Sequence, residues 1–390
     1  MEFTLTEEQL ALKRLAHEFA EREIRPIASA RDRMPDPAAC MDWDVIRKGS
    51  KLGLRTLTIP EEFGGGGADT LTVAIVGEEL GWGDLGVAYA FDQTWKYGPA
   101  LALATTPEQR EKFLPAFMAD ETHLMAIAFT EPDAGTDNMF PFDAPGMGLM
   151  MRAERRGSDY ILNGTKIFIS NGGAAKMCIV CARTDPSVGV TRGSTAFLVP
   201  ADTPGYRVGR YLDKMGRRLL MNAEIVFEDC RVPAFNRLGE ENGAWELQRG
   251  RSYGRGSYGA TVLGTARAAL EDALAHARDR VQGGKPIIEH QNIALQLGEM
   301  WMSLEAARTV LYRAAWAADH AEEYDVKLAF LTKTLCTEAA FRIATMGMDI
   351  LGGYGYMKDM NMEKYMRDII STLHGAGSGN IFRMKCAALL

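Results

Sequence analysis

The sequence predicts an α+β chain in three consecutive parts: an N-terminal helical domain, a middle antiparallel β domain and a C-terminal four-helix bundle. Three observations carry this. Apolar residues recur at helical spacing up to about residue 120. The pattern then shortens to strand-length runs as far as about residue 235. Helical spacing returns from about residue 240 to the C-terminus. A chain of 390 residues exceeds what one core supports, which fits domains at 1–120, 121–235 and 236–390.

Thr6 with Gln9 forms a capping box ahead of an apolar stripe at Leu12, Leu15, Ala16, Phe19 and Ala20. The run Gly64-Gly65-Gly66-Gly67 lacks the Lys-Ser/Thr ending of a phosphate loop, so it reads as a flexible interhelix loop. In the middle part, Asn163-Gly164 between apolar flanks predicts a hairpin turn. Met177–Arg183, Thr195–Val199 and Glu224–Phe227 read as further strands. In the last part, Val262, Leu263, Ala266, Ala269, Leu270, Ala273, Leu274 and Ala277 mark one helical face. Met300, Leu304, Ala307, Leu311 and Ala314 mark a second, and a third pattern runs from Val326 to Ile350. Such helices pack as an antiparallel bundle.

Composition excludes several classes. Apolar residues make up 47% and charged residues 24%, so the chain is not disordered. The net charge is −7 with basic residues scattered, which argues against nucleic acid as a partner. No apolar run reaches the ~20 residues of a membrane span. The N-terminus has no signal-peptide core, and six cysteines form no disulfide scaffold, so a cytoplasmic location is expected. Cys178 and Cys181 are three apart in a strand and point to opposite faces, so no metal site is expected of them. A glycine-rich turn opening a βαβ unit is absent, which argues against nicotinamide binding.

Four segments carry chemistry. Ala128–Asp137 joins a strand to a turn and packs hydroxyls and backbone donors into a tight loop, suited to a planar ring edge or an acyl carrier. The same residues also favour a plain β-turn. Ile350–Tyr356 ends a long helix with glycines that permit close approach of a ligand, and Tyr365–Asp368 follows. Arg280 stands at a helix end beside Gly283 and Gly284, an arrangement suited to a pyrophosphate. His374–Ile381 is a glycine-rich turn before the terminal helix.

With these residues in this order the chain resembles the acyl-CoA dehydrogenase family. The likeness runs nearly end to end, through Thr4–Gln9, Pro60–Gly65, Ala128–Asp137, Leu162–Gly173, Gly284–Gln291, Ile350–Tyr356 and Tyr365–Asp368. The resemblance implies one FAD per subunit, a homotetramer, an acyl-CoA substrate and electron-transferring flavoprotein as the electron acceptor. It implies that Phe129, Thr130, Phe168, Ser170, Asp349, Gly352, Gly353, Ser378 and Asn380 hold or line the FAD. Thr136 falls near both the cofactor and the CoA thioester arm. Arg280 and Gln291 match contacts made to FAD across the subunit interface, and Gly283 stands where the family commonly has Phe. Phe91, Trp95, Arg255 and Gly375 are carried over as substrate contacts, with Tyr97 beside them.

One departure sets this chain apart. The family removes the substrate α-proton with a Glu, and the two positions that hold it are Ala376 and Gly254 here. The backbone N–H of Ala376 still suits an oxyanion-type donor to the thioester carbonyl. A disabled variant, an idle paralogue or a conventional dehydrogenase with another base are the plain explanations. A flavin monooxygenase, a thioester-cleaving relative and a nucleic-acid-binding relative share the fold. The sharper explanation is a base moved to meet a moved proton: an α,β-unsaturated thioester acidifies its γ-hydrogen through conjugation. Asp92 in the apolar stretch Ala88–Trp95 is the expected base, because desolvation makes a carboxylate a stronger one. Its alternative is a solvent-facing helix residue, and His374 is the second candidate base. The pattern is similar to the cyclohex-1-ene-1-carboxyl-CoA dehydrogenases of anaerobic bacteria. That likeness implies 1,4-elimination to the 1,5-diene, with a proton leaving C3 and hydride leaving C6 for flavin N5.

Overall fold

Thr6 accepts from the Gln9 N–H and Gln9 Oε1 accepts from the Thr6 N–H, both at 3.1 Å, so the first helix starts where the capping box places it. The structure is a computed structural model that describes residues 4–250 and 257–390. The N-terminal part holds α1 (Glu7–Phe19), α2 (Arg25–Asp32), α3 (Trp43–Lys51), α4 (Thr70–Gly83), α5 (Leu85–Tyr97), α6 (Pro99–Leu103) and α7 (Pro107–Ala119). Asp84 caps α5 by accepting from the Val87 N–H at 2.9 Å, so α4 stops and α5 begins at one residue.

The glycine run before α4 is not the flexible loop expected from its composition. Gly64 N donates to Glu61 O, Gly66 N to Thr56 O and Gly67 N to Ile59 O, at 2.8, 3.1 and 2.8 Å. A Cβ on Gly65 would stand 2.1 Å from Ile59 O. The glycines are there because the backbone folds onto itself too closely for side chains.

The middle part is one sheet in the order β6-β7-β3-β2-β4-β5-β8, with β1 added beside β4. Its strands are β1 (Met125–Ala128), β2 (Arg152–Arg156), β3 (Asp159–Ile169), β4 (Met177–Arg183), β5 (Ser194–Pro200), β6 (Tyr206–Tyr211), β7 (Ala223–Pro233) and β8 (Arg237–Leu238). Pairing is antiparallel except that β1 runs parallel to β4 and β2 touches β4 in parallel at Arg152. The hairpin expected at Asn163-Gly164 is absent, because β3 runs straight through both residues. The turn falls instead at Gly157-Ser158, between Arg156 and its partner Asp159. Gly164 (φ 144°) is a bulge where a Cβ would come within 2.8 Å of Met151 Cγ. Cys178 packs with Tyr160, Phe197 and Phe227 on one face, and Cys181 with Phe113, Phe117 and Trp245 on the other. The cysteines described form no disulfide.

The C-terminal part contains α8 (Ser257–Asp279), α9 (Gln291–His320), α10 (Lys327–Leu351), α11 (Met362–Ile370) and α12 (Gly379–Ala387). The stripes from Val262 to Ala277 and from Met300 to Ala314 are its buried faces, with Leu274 half-buried at the edge. The N- and C-terminal helices share one core, in which Phe19, Ile46, Leu80 and Phe91 meet Leu263, Leu304 and Ile343. Ion pairs cross the same seam. Arg267 Nη2 meets Glu79 Oε2 at 2.5 Å and Arg308 Nη2 meets Glu78 Oε1 at 2.7 Å. None of the described helices is long and apolar enough to cross a membrane.

Candidate active site

Helix α5 presents two faces. Phe91 and Trp95 look into the helical core, with ring centroids 6.4 Å apart, and Trp95 Nε1 donates to Leu54 O at 2.6 Å. Both rings, expected along an acyl cavity, are buried here because Gly49 leaves room for Phe91 and the Leu54 carbonyl claims the indole. Tyr89, Asp92 and Lys96 sit three and four residues apart on another face. Asp92 is 0% exposed, so the solvent-facing alternative does not hold. Its Oδ2 accepts from Lys96 Nζ at 2.5 Å and from Gln93 Nε2 at 3.4 Å. Its Oδ1 is buried with no partner among the described residues.

Lys96 Nζ lies 5.2 Å from the ring centroids of both Tyr89 and Tyr258. These two rings meet edge to face at 5.1 Å. Burial raises both phenols above the usual tyrosine range, for Tyr89 with further help from the charge of Asp92. Tyr258 Oη donates to Thr372 O at 3.2 Å and to Gly375 O at 3.3 Å. The Asp92 face of α5 and the turn before α12, 280 residues apart in sequence, thus share a pair of tyrosines.

That turn is strained. Ala376 stands in the left-handed region at φ 57°, which is uncommon for a residue with a Cβ. Among the described residues its N–H donates to no group. Ser378 begins α12 without using its hydroxyl as a cap, and Asn380 is exposed on the first turn. His374 is exposed. Met139 Cε lies 2.9 Å from where a Cβ on Gly377 would be, so the one-turn helix Thr136–Met139 abuts the same turn with Thr136 exposed.

The loop after β1 is fixed by a buried ion pair. Lys166 Nζ bonds Glu131 Oε1 at 2.7 Å and Phe129 O at 3.1 Å, and Glu131 in turn accepts from the Met150 and Met151 N–H groups. Burial lowers the Lys166 ammonium against the pull of Glu131. Thr130 O accepts from the Ile167 N–H at 2.9 Å. One residue on, Phe168 is held at φ 61° with its ring 64% exposed. Asn222 Nδ2 donates to Phe168 O at 3.0 Å and to Ser170 Oγ at 3.4 Å, and Lys214 Nζ donates to Asn222 Oδ1 at 2.8 Å. An exposed aromatic on a strained bulge, braced from behind, is a surface built for a flat ligand.

A separate cavity of about 880 Å³ lies between the end of α8 and the end of α10. Arg280, Gly283, His290, Asp349, Gly352 and Gly353 line it together, and the Arg280 guanidinium lies 5.8 Å from the Tyr354 ring centroid. Gln291 opens α9 beside it and is exposed. Within one chain, none of Thr130, Phe168, Ser170 or Ser378 lines this cavity.

The Acyl-CoA dehydrogenase N-terminal, middle and C-terminal domain models match residues 6–121, 126–230 and 244–390. The chain belongs to the acyl-CoA dehydrogenase family. It is 37% identical over 402 residues to the short-chain-specific acyl-CoA dehydrogenase of Megasphaera elsdenii, covering 100% of each. It is 35% identical over 384 residues to the cyclohex-1-ene-1-carbonyl-CoA dehydrogenase of Geobacter metallireducens, covering 97% of each. Its structure superposes on butyryl-CoA dehydrogenase from Megasphaera elsdenii with a TM-score of 0.92 at 35% identity, covering 100% of each chain. It is an oxidoreductase acting on acyl-CoA thioesters, with FAD as its cofactor.

The residues present fit that cofactor. The braced Phe168 ring and the uncommitted Ser378 hydroxyl suit the flavin end. The Arg280 guanidinium in its open cavity suits a pyrophosphate. Arg255 and Gly254 lie outside the described residues. Sequence reasoning missed Lys96, Tyr89, Tyr258 and Arg217. Lys96 was legible as the partner four residues after Asp92. The others come from elements that only the fold brings together.

Proposed function

We propose that this acyl-CoA dehydrogenase oxidises an alicyclic acyl-CoA, cyclohex-1-ene-1-carboxyl-CoA, to cyclohexa-1,5-diene-1-carboxyl-CoA, with Asp92 as the base. The observation that carries this reading is a fully buried carboxylate with one oxygen tethered and the other without a partner among the described residues, in a chain with Ala376 where the family has its acid. Asp92 Oδ1 takes the proton from C3. Lys96 and Gln93 hold Oδ2 and so fix which oxygen reacts. The Ala376 N–H polarises the thioester carbonyl. FAD, when bound, supplies the hydride acceptor for C6. The likeness to a cyclohex-1-ene-1-carbonyl-CoA dehydrogenase supports the substrate.

The remaining parts of the reading concern assembly. A second copy of the chain brings Arg280 and Gln291 to the FAD, in a homotetramer that passes electrons to electron-transferring flavoprotein in the cytoplasm of an anaerobe. The exposed Leu295, Trp301 and Met302 on α9 support such an interface.

The test is anaerobic flavin bleaching by a panel of acyl-CoA esters. Cyclohex-1-ene-1-carboxyl-CoA bleaches the flavin, and Asp92→Asn lowers the rate by about 10²–10⁴-fold, the span of general-base effects. Brisk turnover of butyryl-CoA by the unmodified protein, untouched by Asp92→Asn, would replace this reading with a linear-chain dehydrogenase using another base.

A further inference from the structure

Most of the weakly exposed arginines reach acceptors among the described residues. Arg55 donates to His123 O and Met118 O. Arg183 donates to Met147 O, Leu149 O and Val188 O. Arg267, Arg308 and Arg367 reach carboxylates. The half-buried Arg217 side chain meets no carboxylate and donates no hydrogen bond among the described residues, and its Nε is buried without a partner, as are those of Arg55, Arg110 and Arg267. An unpaired guanidinium in a partly dry site is costly, and its persistence asks for a ligand.

The backbone is bent to put it there. Arg217 stands at φ 49°, in the left-handed region, and its N–H donates to the buried Asp368 Oδ1 at 2.5 Å. A bulky residue held in that conformation by a buried carboxylate is strain kept for a purpose. The guanidinium lies 4.9 Å above the Tyr89 ring centroid. Its Nη2 is 3.6 Å from where a Cβ on Gly375 would stand, one residue before the free Ala376 N–H. Lys333 Nζ lies 5.9 Å from the Tyr258 ring centroid and donates to Leu373 O at 3.3 Å.

We propose that Arg217 is a charge-stabilising residue of this site: its guanidinium receives the negative charge that gathers on the thioester oxygen as the substrate C–H bond breaks. This rests on the Asp92 reading. In the step, the proton passes from C3 to Asp92 Oδ1. The C3–H electron pair forms the C2=C3 bond, the former C1=C2 pair moves toward the carbonyl carbon, and the carbonyl π pair moves onto oxygen. The resulting dienolate carries one negative charge at the end of the acyl group nearest Ala376, one residue after the Gly375 beside which Arg217 stands. A fixed cation there acts as a preorganised donor, and losing one such donor costs about 10²–10³-fold in rate.

The experiment uses FAD-loaded enzyme and the variants Arg217→Gln and Arg217→Lys, each checked for flavin content and thermal midpoint. With cyclohex-1-ene-1-carboxyl-CoA, Arg217→Gln lowers kcat by about 10²–10³-fold with KM within a few-fold, and Arg217→Lys recovers part of the loss. Acetoacetyl-CoA gives a second readout that needs no turnover. Its enolate, bound against oxidised flavin, gives a long-wavelength absorption band, and that band moves to higher pH in Arg217→Gln. An Arg217→Gln enzyme with full flavin, unchanged kcat and an unmoved band overturns the proposal. So does loss of affinity confined to acyl-CoA esters with a second carboxylate, which would make Arg217 a substrate-carboxylate contact. The enolate titration does not involve Asp92, so failure of the base reading is seen separately, in Asp92→Asn.

Discussion

Asp92 and Lys96 are joined by one 2.5 Å contact, with Asp92 fully buried and Lys96 mostly so, and that makes each depend on the other. Removing one partner of a buried pair leaves an uncompensated charge and costs about 3–5 kcal/mol. Lys96→Met is therefore expected to lower the unfolding free energy by about that amount. The double variant Lys96→Met/Asp92→Leu recovers most of it, since both charges leave together, and a double-mutant cycle by urea unfolding measures the difference. His123 gives a pH prediction at the same scale. Burial pushes its imidazole down to about 4, against 6.5 when exposed. Between those values the unfolded chain binds more protons than the native one, so stability falls as pH drops from 6.5 to 4. A His123→Gln variant should lose that part of the pH slope in unfolding curves taken at pH 7 and pH 4.5. Asp92 was legible in the sequence as an acid in an apolar stretch beside a missing Glu. Arg217 was not, because nothing in its neighbours announces a left-handed backbone or a tyrosine from α5 beneath it.

Elements were legible where local rules decide them. The Thr6 capping box and the Met300–Ala314 stripe come directly from spacing, because caps and helical faces depend on residues within a few positions. Two turn readings failed, both at glycines. Asn163-Gly164 carries the chemistry of a hairpin turn, yet Gly164 serves a bulge against Met151, and the Gly64–Gly67 run serves a self-packed loop. In both cases glycine was required by a close neighbour distant in sequence. Gly164→Val is expected to cost about 2–4 kcal/mol, combining a clash with backbone strain, measurable as a lower urea midpoint at unchanged slope.

Across the whole molecule the residues expected at the FAD divide into two groups, one of which lines a cavity that the other does not reach. Phe168, Ser170 and Ser378 lie toward the β domain and the last turn, while Arg280, Asp349, Gly352 and Gly353 share the cavity at the ends of α8 and α10. If a second copy completes the site, flavin retention is tied to assembly. Arg280→Glu is then expected to reduce bound flavin to below about half of one per chain, with far-ultraviolet dichroism unchanged. Diluting the unmodified protein should release flavin in step with dissociation, followed by fluorescence and sedimentation. Flavin held tightly by a dissociated chain would argue against the shared site.

By itself the sequence determined the α-β-α order, the family and the absence of an acid at residues 254 and 376, because these follow from periodicity and from motifs read along the chain. The tertiary structure decided that the two helical parts form one core, that Asp92 is buried with one oxygen unpartnered among the described residues, and that the Arg217 side chain, unpaired among them, stands beside Gly375. Burial and pairing belong to neighbours in space. The α5 face, the loop before β7 and the turn before α12 become neighbours only when the shared core brings the two ends of the chain together.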